Sequence, residues 1–317
     1  MTDSESLRQI LSRWSVILQT ARPDLPISGS PERTLFRVVV QDTEGRRWLL
    51  EKIPVRLKRS KLDIIHLLAH LTEKKFELAV PYRSTEEGAY HVADEEDLWQ
   101  LLRFVDGVPL DRPRYIFDAW RGRHIARCLI SLRQTSAGFH VPGNRDFFSI
   151  TDYIADMTEK IARHNPELAN PLSPVLTYLK RSFFNIHDTL PVGLCHGDFH
   201  PLNIIWKPDG IAALIDWEFY GLKPEAYDVA NMLGCLGMEN PDGLSGDMAL
   251  AFLDELRAAD FLHRKSLHSL FDLTLALRFA WLSEWLRKND IRMIELELTY
   301  MYLLMDNREK IKASWRM

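Results

Sequence analysis

Apolar residues at Leu7, Ile10, Leu11, Trp14, Ile17 and Leu18 recur three and four positions apart, the period of one helix face. An amphipathic helix is expected there, brought to an end by Pro23 and Pro26. The period then shortens. Segments 35–40 and 48–53 are rich in β-branched and aromatic residues and flank the turn Asp42-Thr43-Glu44-Gly45, so they should form a hairpin. Segment 62–71 reads as a helix, and 90–92 and 98–104 as short strands. Past Gly107-Val108-Pro109 long helical periods dominate, at roughly 114–138, 149–164, 171–188, 224–236, 246–260, 266–288 and 290–312. One β island interrupts them: strand 203–206, a turn over Lys207, Pro208, Asp209 and Gly210, and strand 211–216. The pattern predicts an α+β chain in two parts, a sheet with a helix over 1–105 and a mainly helical part over 106–317.

Composition narrows the class. A chain of 317 residues exceeds most single compact cores and suits two lobes. Its 46% hydrophobic and 26% charged residues are those of a folded enzyme and exclude disordered or fibrous architectures. A net charge of -4 supplies no basic field, so nucleic acid is not an expected partner. The three cysteines, Cys128, Cys195 and Cys235, are odd in number and widely spread, unlike a disulfide framework, and point to a reducing cytoplasm. Arg8 and Arg13 interrupt the apolar N-terminal stretch, as they would not in a signal peptide. Nor is there a run of about 18 uncharged apolar residues, so no membrane span is expected.

Candidate chemistry concentrates in two segments. Residues 194–203 read Leu-Cys-His-Gly-Asp-Phe-His-Pro-Leu-Asn, and 211–218 read Ile-Ala-Ala-Leu-Ile-Asp-Trp-Glu. With Pro208 and Asp209 at the turn, Lys207 faces Gly210 and the register sets Asn203 opposite Leu214, with Asp216 just past that pair. Paired strands lie about 4.8 Å apart, so the Asn203 carboxamide and the Asp216 carboxylate can converge at the open end of the hairpin. Two oxygen ligands suit a hard cation and leave positions for water and phosphate oxygens, as magnesium prefers. Asp198 lies in the loop that feeds the hairpin. Singly, these are ordinary turn and strand-end residues; their joint spacing carries the signal. Cys195, His196 and His200 offer a zinc reading, against which Gly197 and Pro201 break the helix such spacing needs and no fourth ligand is evident.

Asp198-x-x-x-x-Asn203 matches the catalytic loop of protein kinases, with Gly197 in place of that loop's arginine. His-Gly-Asp followed by Asn, then Ile-Asp-Trp on the next strand, resembles the aminoglycoside phosphotransferase and choline kinase superfamily, and homoserine kinases of that type look similar. The likeness runs from Arg33 to about Leu304 and is tight over 194–218. It implies a bilobal protein-kinase-like fold and transfer of the γ-phosphoryl of ATP to a small-molecule hydroxyl, with Mg2+ as cofactor. Asp198 would be the catalytic base, Asn203 and Asp216 the metal ligands, and His196 a scaffold of the loop. Lys52 would be the nucleotide lysine, on the strand face that carries Leu50, with Leu49, Glu51 and Ile53 on the other. A solvated lysine at a strand end is the plainer alternative. The glutamate that kinases set opposite this lysine has no counterpart in 61–71 beyond Asp63. Ser28-Gly29-Ser30-Pro31, through Ser30, would contact phosphate, and Leu102 and Phe104 lie in the segment whose backbone binds adenine in this superfamily. Arg56, Lys58, Arg59 and Lys61 read as a solvated basic face. Asp228 either orients the catalytic loop or is a first-turn carboxylate favoured by the helix dipole.

For the acceptor, Leu275, Phe279, Leu282 and Leu286 form a core stripe, beside which Arg278, Trp281 and Trp285 form a second, with Glu284 close by. Trp217 and Glu218 directly follow Asp216. Aromatic faces with carboxylates match an alkylammonium group, which makes Glu218, Trp281 and Trp285 candidates for holding an amino alcohol or aminoglycoside. Against this, tryptophan stripes are commonly core and Glu284 can pair with Lys288. A protein hydroxyl as acceptor, or a catalytically silent binding protein of the same fold, are the rival functions.

Overall fold

The computed structural model describes residues 4–25, 27, 32–143 and 147–317; Ser30, with Ser28, Gly29 and Pro31, lies outside the described residues. The chain forms two compact units. The first is Met1–Val108 with Thr135–Phe139 and Ile204–Glu218, and the second is Pro109–Gln134, His140–Asn203 and Phe219–Met317.

The first unit is built on an antiparallel sheet. Its strands are β1 (Leu18–Ala21), β2 (Phe36–Asp42), β3 (Arg47–Pro54), β4 (Val92–Asp94) and β5 (Asp97–Arg103), in the order β1-β2-β3-β5-β4. The expected hairpin is β2–β3, and Asp42 fixes its turn by accepting from the amides of Glu44 and Arg46. Helix α1 (Ser4–Ser12) lays Leu7 and Leu11 on the sheet face that carries Trp48, Leu50, Trp99 and Leu101. The expected extension of this helix to Pro23 does not occur. Ser15 turns left-handed at φ 53°, and Leu18 enters β1, pairing with Asp42. Apolar spacing over 17–18 serves either period, and the open edge of β2 supplies the backbone partners that decide it. Helix α2 (Lys58–Glu73) buries Ile64, Ile65, Leu67, Leu68 and Leu71. The β island, β7 (Ile204–Lys207) and β8 (Gly210–Leu214), belongs to this unit. It is tied in where Val108 donates to Trp206 O and Leu214 to Leu78 O, at 2.8 and 3.0 Å.

The second unit is mainly helical. It contains α3 (Ala119–Thr135), α4 (Ile150–His164), α5 (Pro166–Ser182), α6 (Phe184–His187), α7 (Tyr227–Glu239), α8 (Asp247–Ala258), α9 (Arg264–His268), α10 (Leu270–Lys288), α11 (Ile291–Asp306) and α12 (Arg308–Ser314). Helix α10 is its axis: every residue of 270–279 is buried, so its first half packs on all sides rather than along one stripe. Two strands went unread in the sequence, β6 (Val192–Cys195) and β9 (Gly221–Pro224), which pair antiparallel. Four residues are too few for alternation to show. Their pairing matters because the loop that carries Asp198 leaves the end of β6.

Candidate active site

In the second unit the chain turns sharply after Cys195. Gly197 sits at φ +85°, and a Cβ there would lie 2.0 Å from Phe219 O, so only glycine fits where kinases carry arginine. Asp228, in the first turn of α7, accepts from the amides of His196 and Gly197 at 2.7 and 2.9 Å. It is buried, and burial pushes its carboxyl up while His196 and those two amides pull it back. Of the two readings of Asp228, the geometry selects the loop anchor.

The loop so held presents Asp198. Asn203 Nδ2 donates to both Asp198 O and Asp198 Oδ2 at 2.9 Å, and His200 Nε2 stands 3.5 Å from Oδ1. Burial raises the Asp198 carboxyl, but hydrogen bonding and charge from His200, with His196 and Asn203, outweigh it and hold the group below the ordinary carboxylate range. The side chain is therefore an ionised, hydrogen-bonded acceptor. His196 is fully buried and its Nδ1 accepts from the Asp198 amide at 3.3 Å, as expected of a scaffold residue.

In the first unit, the hairpin register differs from expectation by one residue. Lys207 faces Gly210, but a bulge between Ile205 and Trp206 pairs Ile204, not Asn203, with Leu214. The bulge absorbs the extra residue on the β8 side and advances Asp216 by one position along the hairpin. Asp216 itself is left-handed, at φ 61°, a conformation that costs a non-glycine residue about 1–3 kcal/mol and collects at functional sites. Arg33 approaches its carboxylate at 3.5 Å. Since Asn203 spends Nδ2 on Asp198, its amide oxygen is the polar atom left for a ligand, and Asp216 adds carboxylate oxygens. By donor type alone, an amide oxygen and a carboxylate both suit Mg2+. Among the described residues no three His, Cys, Asp or Glu side chains group as metal ligands.

The remaining site expectations need correction. Lys52 lies on the sheet face packed by α1; its ammonium pairs with Asp94 and Asp97 at 3.0 and 3.3 Å and sits over Trp99. Glu51, one residue back, therefore faces the other way. It is buried, ion-paired with Arg37 at 2.5 Å, and accepts from Gln100 at 2.6 Å. The α2 residue on that side is Lys61, which is buried rather than solvated and ion-paired with Glu218. Glu218 is thus engaged inside the first unit, not presented to an amine. Its neighbour Trp217 turns inward, edge-on to Phe76 and donating to Leu214 O. Phe104 donates its amide to Arg47 O at 3.0 Å, and Leu102 bridges Tyr82 and pairs with Leu49, so sheet bonding already takes the Phe104 amide offered to adenine. Gly107 permits the close approach of this segment to β7, since a Cβ there would lie 2.6 Å from Ile205.

On α10, Trp281 and Trp285 stack at 6.0 Å with 29° between planes. Both are half-buried. The edge of His200 meets Trp281 at 5.8 Å, and Trp281 Nε1 donates to Asn231, whose amide donates to Phe199 O in the catalytic loop. Asn231 was missed in the sequence, where nothing distinguishes a polar residue inside an apolar helix. Arg278 is not part of an exposed stripe: it is buried in a two-pronged pair with Glu297 of α11, at 2.5 and 2.7 Å. Glu284 is turned to the surface, where Arg287 and Lys288 pair with it and pull its carboxyl down to about 2.

Asp198, with Asn203 four intervening residues further on and Asp216 closing the next hairpin, follows the residue pattern of phosphotransferases of the protein-kinase-like class. The comparisons agree. Residues 28–262 match the model of the phosphotransferase enzyme family known as APH, and the chain belongs to that family. A homoserine kinase from Bradyrhizobium sp. (strain ORS 278) is 28% identical over 228 residues, covering 69% of this chain and 68% of that protein. Homoserine kinases from two Rhodopseudomonas palustris strains align over 46% of their own length. Among solved structures, a microcompartment-associated aminopropanol kinase superposes with TM-score 0.67 at 16% identity over 98% of both chains. The amicoumacin kinase hAmiN, in complex with AMP-PNP, Ca2+ and Ami, gives TM-score 0.67 at 14% identity, over 98% of this chain and 93% of that one.

Proposed function

We propose that this chain transfers the γ-phosphoryl group of ATP to the hydroxyl of a small amino alcohol. The observation that carries the reading is the placement of Asp198, held by Asn203 and His200 in a loop that Asp228 and Gly197 set. Asp198 accepts the acceptor's hydroxyl proton as the oxygen attacks the γ-phosphorus, and ADP leaves. Asn203 and Asp216 would hold Mg2+. Bound there, the ion supplies charge neutralisation on the phosphates. Residues 1–105 are assigned to the nucleotide and 106–317 to catalysis and the acceptor.

Support for an amine-bearing acceptor comes from the stacked Trp281 and Trp285, which reach the catalytic loop through His200 and Asn231. Aromatic faces attract alkylammonium groups by about 0.5–2 kcal/mol. The homoserine and aminopropanol kinases, by their names, act on amino alcohols. The three cysteines are free, as a reducing compartment keeps them, and on that ground we assign the enzyme to the cytoplasm. The test is ADP release from Mg-ATP across a panel of hydroxyl compounds. Stimulation by homoserine or aminopropanol, reduced by Trp281→Leu through the acceptor KM, is expected; stimulation only by alcohols that lack an amine would overturn the acceptor class.

A further inference from the structure

A phosphoryl-transfer site needs a side-chain cation on the nucleotide phosphates, and in protein kinases that cation is a β3 lysine paired with a glutamate on the helix that follows. In this chain the same two elements carry those charges exchanged. Alternation along β3 sends Lys52 to the α1 side of the sheet, where Asp94, Asp97 and Trp99 hold it. The residue facing α2 is Glu51, in register with Arg37 on β2 and Gln100 on β5. Across from it, α2 offers Lys61, whose side chain is 6% exposed. The ammonium pairs with Glu218, two residues beyond Asp216 on the same short turn.

We infer that Lys61, projecting from α2, is the phosphate-binding cation of this enzyme, with Glu218 and Glu51 as its positioning carboxylates. This rests on the phosphotransferase reading of Asp198, Asn203 and Asp216. Two general properties favour a ligand-binding role over a purely structural salt bridge. Burying both members of an ion pair costs several kcal/mol of solvation per ion, which a packed apolar pair would avoid. And an ammonium carries three donors on a flexible stem, so Lys61 can keep Glu218 and reach a phosphate oxygen at once. Arg33, which approaches Asp216, brings a second positive charge to the same turn. Lys52 has no such relation to that turn: its two carboxylate partners are on β4 and β5.

The experiment compares binding of Mg-ATP and of adenosine by calorimetry in wild type, Lys61→Met and Lys52→Met. Loss of a charge-assisted contact to phosphate is expected to weaken Mg-ATP about ten- to a hundredfold in Lys61→Met while adenosine binding is unchanged. Lys52→Met should bind both as wild type does. Equal loss of adenosine and ATP in Lys61→Met would mean a structural role and overturn the inference, as would a triphosphate-specific loss in Lys52→Met instead. If Lys61→Met does not fold, the wild-type protein still decides: an acyl phosphate of ATP acylates the amine nearest the phosphates, and peptide mass spectrometry should find the ATP-competed label on Lys61. A label on Lys52 alone refutes the assignment and leaves the kinase reading standing. If wild type binds Mg-ATP no better than adenosine and takes no competed label, the kinase reading itself fails and this inference with it.

Discussion

Replacing Asp228 by asparagine tests whether the catalytic loop is held from behind. The carboxylate accepts two backbone amides, from His196 and Gly197, at 2.7 and 2.9 Å inside the core. Asparagine keeps one acceptor oxygen and turns an NH2 group toward the second amide. One charge-assisted bond is lost, the other becomes neutral, and a buried donor is left unmet, at a cost of about 2–3 kcal/mol. Because these amides immediately precede Asp198, the loop can recover that energy only by shifting, and a displacement of about 1 Å at a reacting group is enough to cost a hundredfold. If the loss is expressed in the transition state, kcat falls about thirty- to a hundred-and-sixtyfold. Steady-state ADP release should show that drop with an ATP KM within about threefold of wild type, and thermal unfolding should show that the variant remains folded. A folded Asp228→Asn enzyme with kcat within twofold of wild type would refute the anchoring role.

Asp198→Asn keeps the shape and removes the proton acceptor, so kcat should fall by about 10^2–10^4 with little change in ATP affinity; near-normal turnover would remove Asp198 from the mechanism. Asp216→Ala should abolish the Mg2+-dependent part of the ATP-induced rise in Tm, and retention of the full rise would refute the ligand assignment. Because Asp198 is held below the ordinary carboxylate range, the base should stay ionised and kcat/KM should decline from this group only as pH falls through that depressed value. His200→Asn removes the largest opposing influence to burial, so the acid limb should move to higher pH; an unmoved limb in the kcat/KM profile would show that His200 does not tune the base. Gly197→Ala forces a Cβ to 2.0 Å from the Phe219 carbonyl at φ +85° and should cost activity at least as severely as Asp228→Asn, with a folded, fully active variant counting against the loop geometry.

The catalytic loop and the β7–β8 hairpin could be read from the chain because their chemistry is local. Asp198 and Asn203 meet across four intervening residues, and the Pro208-Asp209 turn fixes which strands pair. The bulge could not be read, since Ala212, the residue of β8 it leaves unpaired, looks like any other strand residue. Neither could β6 and β9, which owe their existence to each other across 25 residues of intervening loop and helix-like chain. Lys61 shows the limit most clearly. Beside Arg56, Lys58 and Arg59 it looks like one more solvated cation, and only Glu218, 157 residues away, makes it a buried one. The two stacked tryptophans were visible as a stripe, but the carboxylates assigned to them were not the right ones: Glu284 is neutralised by its helix neighbours, and Glu218 by Lys61.

The charge exchange between β3 and α2 follows from a single step of parity. Arg37, Glu51 and Gln100 stand in register on one sheet face, and Phe36, Lys52 and Trp99 on the other. A lysine one residue past the inward position cannot be turned inward without slipping the strand, which would also carry Leu50 out of the α1 core. The attraction between a strand residue and a helix residue does not depend on which of them is positive, so an acidic Glu51 on β3 and a basic Lys61 on α2 are electrostatically equivalent to the usual order. A triphosphate is not indifferent to the order. It requires the positive partner to be the one that can extend from its carboxylate toward the ligand, and Glu51 is already committed to Arg37 and Gln100 within the sheet. That leaves the long stem of Lys61 as the mobile member and Glu218 as the carboxylate that returns it, which is why substitution at Lys61, rather than at the lysine in β3, should separate phosphate recognition from the rest of nucleotide binding.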